Sequence, residues 1–268
     1  MKNLMLFSLA LINILCYSQS KLELKVHGVQ INVTNIENAI DFYSGIIGFE
    51  IVQKSNEFVE LRNDGIALYL NKTNKKREVK YKIESQTILV LHVNNLDKSI
   101  NQLTEKGVIF IEGKNENGVG YSAKFKDPFG NVLSILEQSK FPVPVFKEPK
   151  IYNVGYYLPN MDEAKEFYCE KLNFTVRSNV YLPAALPLNQ QDSIFAFMLH
   201  YRKVQPTMLT PDDTQTLIVF ETKSLKRTTT HIKRNEIDII KKAVKSSFKT
   251  KQLFIKDPFG CLSIIVEN

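Results

Sequence analysis

From residue 26 the chain alternates in character: Val29, Ile31 and Val33 are apolar, while Gln30 and Asn32 between them are polar. That is the period of a strand with one face in a core. Asn35 then supplies a helix N-cap, and Ile36, Ala39, Ile40 and Tyr43 recur at the spacing of one helical face. Three further strand-like runs follow, Phe49–Gln53, Phe58–Arg62 and Ile66–Leu70, with polar turns such as Asn63-Asp64-Gly65 between them. The predicted order is βαβββ. It returns with Thr87–Val93, a helix capped by Asn95 and closed by Gly107, and strands at Val108–Ile111, Tyr121–Lys126 and Val132–Leu136. A third quarter spans Ile151–Lys203, with Asn160 and Glu163 spaced as a capping box. The fourth spans Thr216–Asn268 and is the most divergent, because Leu225–Phe248 is long, basic and weakly periodic.

The quarters group into halves through a repeat. Lys126-Asp127-Pro128-Phe129-Gly130 returns as Lys256-Asp257-Pro258-Phe259-Gly260, and Ile135 and Glu137 match Ile265 and Glu267. Earlier in each half, Val29, Asn35, Ala39, Phe42-Tyr43 and Phe49 match Val154, Asn160, Ala164, Phe167-Tyr168 and Phe174. Asp-Pro-Phe-Gly has the chemistry of a type I turn, so Asp127 and Asp257 are read as turn formers rather than catalytic acids. The stretch 141–149, spaced by Pro142, Pro144 and Pro149, reads as a linker between domains at 21–140 and 150–268. The expected class is α+β, with four βαβββ modules in two domains.

Lys2 is followed by the apolar run Leu4–Leu15 and then by small polar residues, the layout of a signal peptide over residues 1–20. Cleavage is expected after Ser18 or Ser20, giving an exported, periplasmic or secreted chain. No other run is long and apolar enough to be expected to span a membrane. Cys16 would leave with the signal; whether Cys169 and Cys261 are bridged stays open. At 44% apolar and 24% charged, the composition excludes collagen-like repeats and disulfide scaffolds. The formal charge of +7 is uneven. Thr222–Lys251 holds ten Lys or Arg against Glu236 and Asp238, and Lys72, Lys75, Lys76, Arg77, Lys80 and Lys82 form a second cluster. A nucleic-acid groove would interleave such charges with aromatics, and Phe248 is the only one in the first run. The basic stretch therefore reads as a solvated, anion-attracting face, with no nucleic acid as partner.

Four βαβββ quarters, the run Val33-Thr-Asn-Ile-Glu-Asn-Ala-Ile-Asp-Phe-Tyr-Ser-Gly-Ile-Ile-Gly-Phe and the two Lys-Asp-Pro-Phe-Gly turns resemble the vicinal oxygen chelate (VOC) superfamily, the glyoxalase, bleomycin-resistance and extradiol-dioxygenase group. The resemblance implies two glyoxalase/bleomycin-resistance-like domains, whose paired modules curl around a cleft for a divalent metal or a small ligand. It also implies ligand positions. In this chain they fall at Gly28, Ile88, Asn153 and Leu217 on the first strands, and at Tyr69, Ser134, Met198 and Ile264 on the last. None is His, Asp, Glu or Cys, so no metal and no cofactor are expected. His27 is one residue off register, and alternation turns it to the opposite face unless a bulge intervenes.

The same alternation turns Gln30, Asn32, His92, Tyr157 and Glu221 inward, and with Tyr69 and Ser134 the first half would hold a polar, partly aromatic cleft. His92 is the best catalytic candidate, as an inward group able to titrate near neutral pH. The leading expectation is an exported monomer or homodimer that binds a small molecule, with no assigned chemistry. The alternative is a divalent-metal-dependent lyase or dioxygenase with ligands off register. A third reading is an interaction module that offers its basic face to an acidic partner.

Overall fold

Each quarter folds around one capped helix. The computed structural model describes residues 22–63, 66–74, 87–140, 147–148, 150–177, 185–189, 196–203, 216–245 and 251–267. The signal segment, most of the linker and Lys75–Lys82 lie outside them. Asn35, Asn95, Asn160 and Ser224 sit in extended backbone, and each side chain accepts a hydrogen bond from a first-turn N–H. Each cap thereby satisfies a donor that the helix leaves without a partner. The helices they start are α1 (Ile36–Ile40), α2 (Leu96–Glu105), α3 (Met161–Lys165) and α4 (Leu225–Arg234).

The two short helices, α1 and α3, run on as π-helical turns over Asp41–Ile46 and Glu166–Lys171. Their i→i−5 bonds, Ile47 N to Phe42 O at 2.9 Å and Leu172 N to Phe167 O at 3.0 Å, widen the turn. Consecutive aromatic residues can then both face the core, and Phe42, Tyr43, Phe167 and Tyr168 are all buried.

The strands are β1 (Lys25–Val33), β2 (Glu50–Lys54), β3 (Phe58–Asn63) and β4 (Ile66–Lys72) in the first module, and β5 (Thr87–His92), β6 (Phe110–Glu116), β7 (Tyr121–Lys126) and β8 (Val132–Glu137) in the second. The third contributes β9 (Lys150–Leu158), β10 (Thr175–Val176), β11 (Ala185–Asn189) and β12 (Ala196–Tyr201). The fourth contributes β13 (Thr216–Thr222), β14 (Asp238–Lys245), β15 (Lys251–Lys256) and β16 (Leu262–Glu267). They form two eight-stranded sheets, β14-β15-β16-β13-β1-β4-β3-β2 (sheet A) and β10-β11-β12-β9-β5-β8-β7-β6 (sheet B).

Each sheet therefore takes one module from each half of the sequence. The linker carries the chain from β8 to β9, and β5 lies between those two strands, so the second and third modules share sheet B. The first and fourth then meet through the antiparallel pair β1 and β13. Consequently Tyr69 and Ser134, grouped in one first-half cleft by the sequence reading, fall on different sheets. The repeat describes how the modules are related, and strand pairing decides which modules share a face.

One face of each sheet and the buried residues of all four helices form a continuous apolar core that includes Val29, Ile31, Val33, Leu91, Ile135, Val154 and Phe220. Hydrogen bonds tie the two sheets together across it. Tyr43, behind sheet A, donates to Asp127 Oδ2 at 2.8 Å in the turn before β8, and Tyr168, behind sheet B, donates to Asp257 Oδ2 at 2.8 Å in the turn before β16. The matching Glu137 and Glu267 accept from the first helical N–H groups of α2 and α4, at Leu96 and Leu225.

Candidate functional site

Among the described residues, the other face of sheet A carries no helix. Residues alternate across the sheet, so Gly28, Gln30, Asn32, Glu60, Tyr69 and Glu221 share this face, while Val29, Ile31, Leu61, Leu68 and Phe220 between them enter the core. Its centre is a second apolar cluster that includes Phe58, Tyr69, Leu217, Val219, Phe254 and Ile264, all buried and none from a helix.

Polar groups border this cluster. The pairing of β1 with β13 slips between Val26 and Gly28, a bulge that gives His27 to the helix-free face. Its Nδ1–H donates to Glu221 Oε2 at 2.8 Å. The imidazole stands nearly parallel to Tyr69, with centroids 5.8 Å apart, and Tyr69 stands against Phe58 at 5.7 Å. The stacked rings follow from β1, β4 and β3 being adjacent strands. Next to Tyr69, Glu60 holds the Arg62 guanidinium at 2.8 Å. Burial, helped by the Glu60 and Glu221 carboxylates, raises the Tyr69 phenol well above its ordinary pKa and keeps it protonated. On the far side, Asn32 Oδ1 accepts from Gln30 Nε2 at 3.0 Å and from Asn71 Nδ2 at 3.4 Å. Sheet A thus brings together Gln30, Asn32, Tyr69 and Glu221.

His27, Glu60 and Arg62 were missing from that set. Gly28 was the available sign of the bulge, since a glycine inside a strand often marks one. A Cβ at Gly28 would collide with the Ala67 carbonyl oxygen. Val59 and Leu61 are core residues, and their alternation already turns Glu60 and Arg62 to the other side.

His92, Ser134 and Tyr157 lie on the face of sheet B turned away from the core. Ser134 Oγ donates to the Ala123 carbonyl at 3.2 Å. His92 packs near Tyr152, and burial lowers its pKa to about 4. It is therefore neutral near pH 7, and the expected titration near neutrality is corrected by its desolvation. His200, beside Tyr157, is likewise lowered by burial to about 4. Asn153 Oδ1 is buried without a hydrogen-bond partner among the described residues.

The family's metal positions can be tested against this chemistry. On sheet A they hold Gly28, Tyr69, Leu217 and Ile264, and the last three belong to the buried apolar cluster. On sheet B they hold Ile88, Ser134, Asn153 and Met198. A hard divalent cation wants several carboxylate or imidazole donors converging on one point. His27 and Glu221 supply two, and among the described residues no three His, Cys, Asp or Glu converge. The residues at the family's positions do not fit a metal.

The basic stretch resolves into α4 and β14. Helix α4 buries Leu225, Thr228 and Ile232 at i, i+3 and i+7 and exposes Lys226, Arg227, Lys233 and Arg234. Thr228 obscured this period, because a threonine holds a core position and bonds Thr222 at 2.8 Å. His231 is half-buried and donates to the Lys171 carbonyl at 2.8 Å. Cys169 and Cys261 form no disulfide, and the buried Cys261 thiol lies against Asp257. Among the described residues, no helix is long and apolar enough to cross a membrane.

Two sheets, each joined from two βαβββ modules through their first strands, define a paired-module α+β protein of glyoxalase type. The family described as "Glyoxalase/Bleomycin resistance protein/Dioxygenase superfamily" matches residues 25–135 and 150–263, and the chain belongs to it. Among solved structures it is similar to glyoxalase I from Zea mays, at 13% identity and a TM-score of 0.67 over 91% of this chain and 92% of that one. It is also similar to a putative dioxygenase from Bacillus subtilis subsp. subtilis str. 168, at 13% identity and a TM-score of 0.64 over 92% of this chain and 86% of that one. Likeness at this identity is one of fold. No curated protein matches the chain.

Proposed function

We propose that this member of the superfamily binds a small molecule on the helix-free face of sheet A, without a resident metal, and that it works outside the cytoplasm after losing residues 1–20. The observation that carries the reading is the content of the family's ligand positions: Tyr69, Leu217 and Ile264 form part of a buried apolar cluster. Around that cluster, the His27–Glu221 pair, the Glu60–Arg62 pair and the Gln30–Asn32–Asn71 chain offer donors and acceptors. An apolar centre with a few placed polar groups is the ordinary make-up of a small-molecule site.

A thermal-shift screen supplies a ligand, and its affinity is then measured in Asn32→Ala, Tyr69→Phe and Ser134→Ala. The reading expects roughly a tenfold loss in the first two, the loss of about one hydrogen bond, and no change in the third, which lies on sheet B. Loss confined to Ser134→Ala would move the site to sheet B. Export is read from the N-terminus of the protein recovered outside the cytoplasm, expected to start after Ser18 or Ser20; an intact Met1 there would contradict it.

A further inference from the structure

His27 and Glu221 come from different halves of the chain, 194 positions apart, and meet only because β1 pairs with β13 and bulges at His27. With Nδ1–H donated to the carboxylate, the lone pair of the neutral ring lies on Nε2. No hydrogen bond is made by Nε2 among the described residues, and both side chains are about a quarter exposed, at 26% and 22%. The other histidines are differently placed. His92 is buried, His200 packs over Gly155 and against Tyr157, and His231 Nε2 is taken by the Lys171 carbonyl. His27 is thus an imidazole at the edge of an aromatic, apolar cluster, with one nitrogen fixed by a carboxylate and the other making no hydrogen bond among the described residues.

A carboxylate on Nδ1 does two things to an imidazole: it fixes the tautomer, and it stabilises the positive charge that appears when Nε2 takes a proton. Among the described residues, Lys25 stands opposite Glu221 on the neighbouring strand and is exposed, so its charge is screened by water. Arg62 is held by Glu60, and the Tyr69 phenol stays protonated and neutral. A proton accepted at Nε2 is therefore balanced by Glu221 across 2.8 Å.

We propose that His27 and Glu221 form an acid–base dyad that accepts the proton of a weakly acidic hydroxyl on an aromatic small molecule and holds the resulting oxyanion beside Tyr69 and Phe58. The step balances. The ligand O–H bond breaks, its electron pair stays on oxygen, the proton forms an N–H bond at Nε2, and the Nδ1–H bond to Glu221 persists. Aromatic ligands suit the place because the Tyr69 ring stands against the imidazole and Phe58 stands against Tyr69 in turn, within one apolar cluster. The proposal rests on the small-molecule reading of this face and names its ligand class.

The test uses 4-nitrophenol, whose phenolate absorbs in the visible, titrated into the full chain in buffer below the probe's own pKa. An apolar surface alone favours the neutral phenol, because burial disfavours the charged form. A dyad does the opposite. The expected result is a saturable growth of the phenolate band with the native protein and at least a tenfold weaker band with His27→Gln. Glu221→Gln is expected to bind the probe in its neutral form. Circular dichroism checks folding, and if His27→Gln does not fold, Glu221→Gln decides. Saturable binding with only the neutral band, or an unchanged phenolate band in a folded variant, overturns the dyad and leaves the small-molecule reading standing. Absence of any saturable effect of the probe also overturns the dyad; a thermal-shift screen that finds no ligand of any class would then remove the small-molecule reading as well.

Discussion

Tyr43 donates its hydroxyl to Asp127 at 2.8 Å, and this bond runs from the π-helical turn behind sheet A to a turn of sheet B. Tyr168 and Asp257 repeat it in the other direction. The two motifs that repeat along the sequence are therefore contact partners. The turn aspartates do what their turn chemistry required, accepting from Phe129 N and Asn131 N in one case and Phe259 N and Cys261 N in the other. Their second oxygens join the sheets.

Removing either hydroxyl leaves a buried carboxyl short of a donor. Tyr43→Phe and Tyr168→Phe are each expected to cost about 1.5–3 kcal/mol in denaturant unfolding, with little change in the folded far-UV spectrum. A loss below about 0.5 kcal/mol in both would mean that these bonds do not hold the sheets together.

Gly28 is required by the close passage of the Ala67 carbonyl, and it follows the bulge that exposes His27. Gly28→Ala should destabilise by about 1–3 kcal/mol through overpacking. Gly113, with no atom within 4 Å of an added Cβ, is the comparison, and Gly113→Ala should be near neutral. Equal effects at the two positions would argue against the bulge geometry.

The buried histidines give stability a pH dependence of known sign. His92 has a folded pKa of about 4 against an ordinary 6.5, so the unfolded chain binds more protons between those values. Its contribution is complete above pH 6.5 and is lost as pH falls towards 4. Asp257, raised to about 6 by burial, acts with the opposite sign, because its folded form holds a proton that the unfolded form releases. The difference between native protein and His92→Leu isolates the histidine. The variant should lose less stability on acidification from pH 7 to pH 5, and parallel pH curves would contradict the assignment.

Much of the fold was legible because it is local. The alternation in Val29, Ile31 and Val33, the caps at Asn35, Asn95 and Asn160, and the Asp-Pro-Phe-Gly turns are decided within a few residues. The partner of each module is not. Pairing β1 with β13 joins residues nearly 200 positions apart, and no local pattern states it. The candidate site suffered for that reason. Strand alternation turned Gln30, Asn32 and Glu221 to the side on which the family resemblance put Tyr69, and the four do share a face, but their grouping with His92 and Ser134 needed the sheet order. His27 was lost to a single-residue bulge that reverses every side-chain direction before it.

The central claim is a small-molecule face without a resident metal, and the most direct test is the metal content per chain of protein purified without added metal or chelator. The account predicts zinc, manganese, nickel and iron all well below one equivalent, in a sample whose thermal stability still rises with ligand. One equivalent of any of them, removed together with ligand binding by a chelator, would contradict it and favour a metal-dependent lyase or dioxygenase with ligands away from the family's positions.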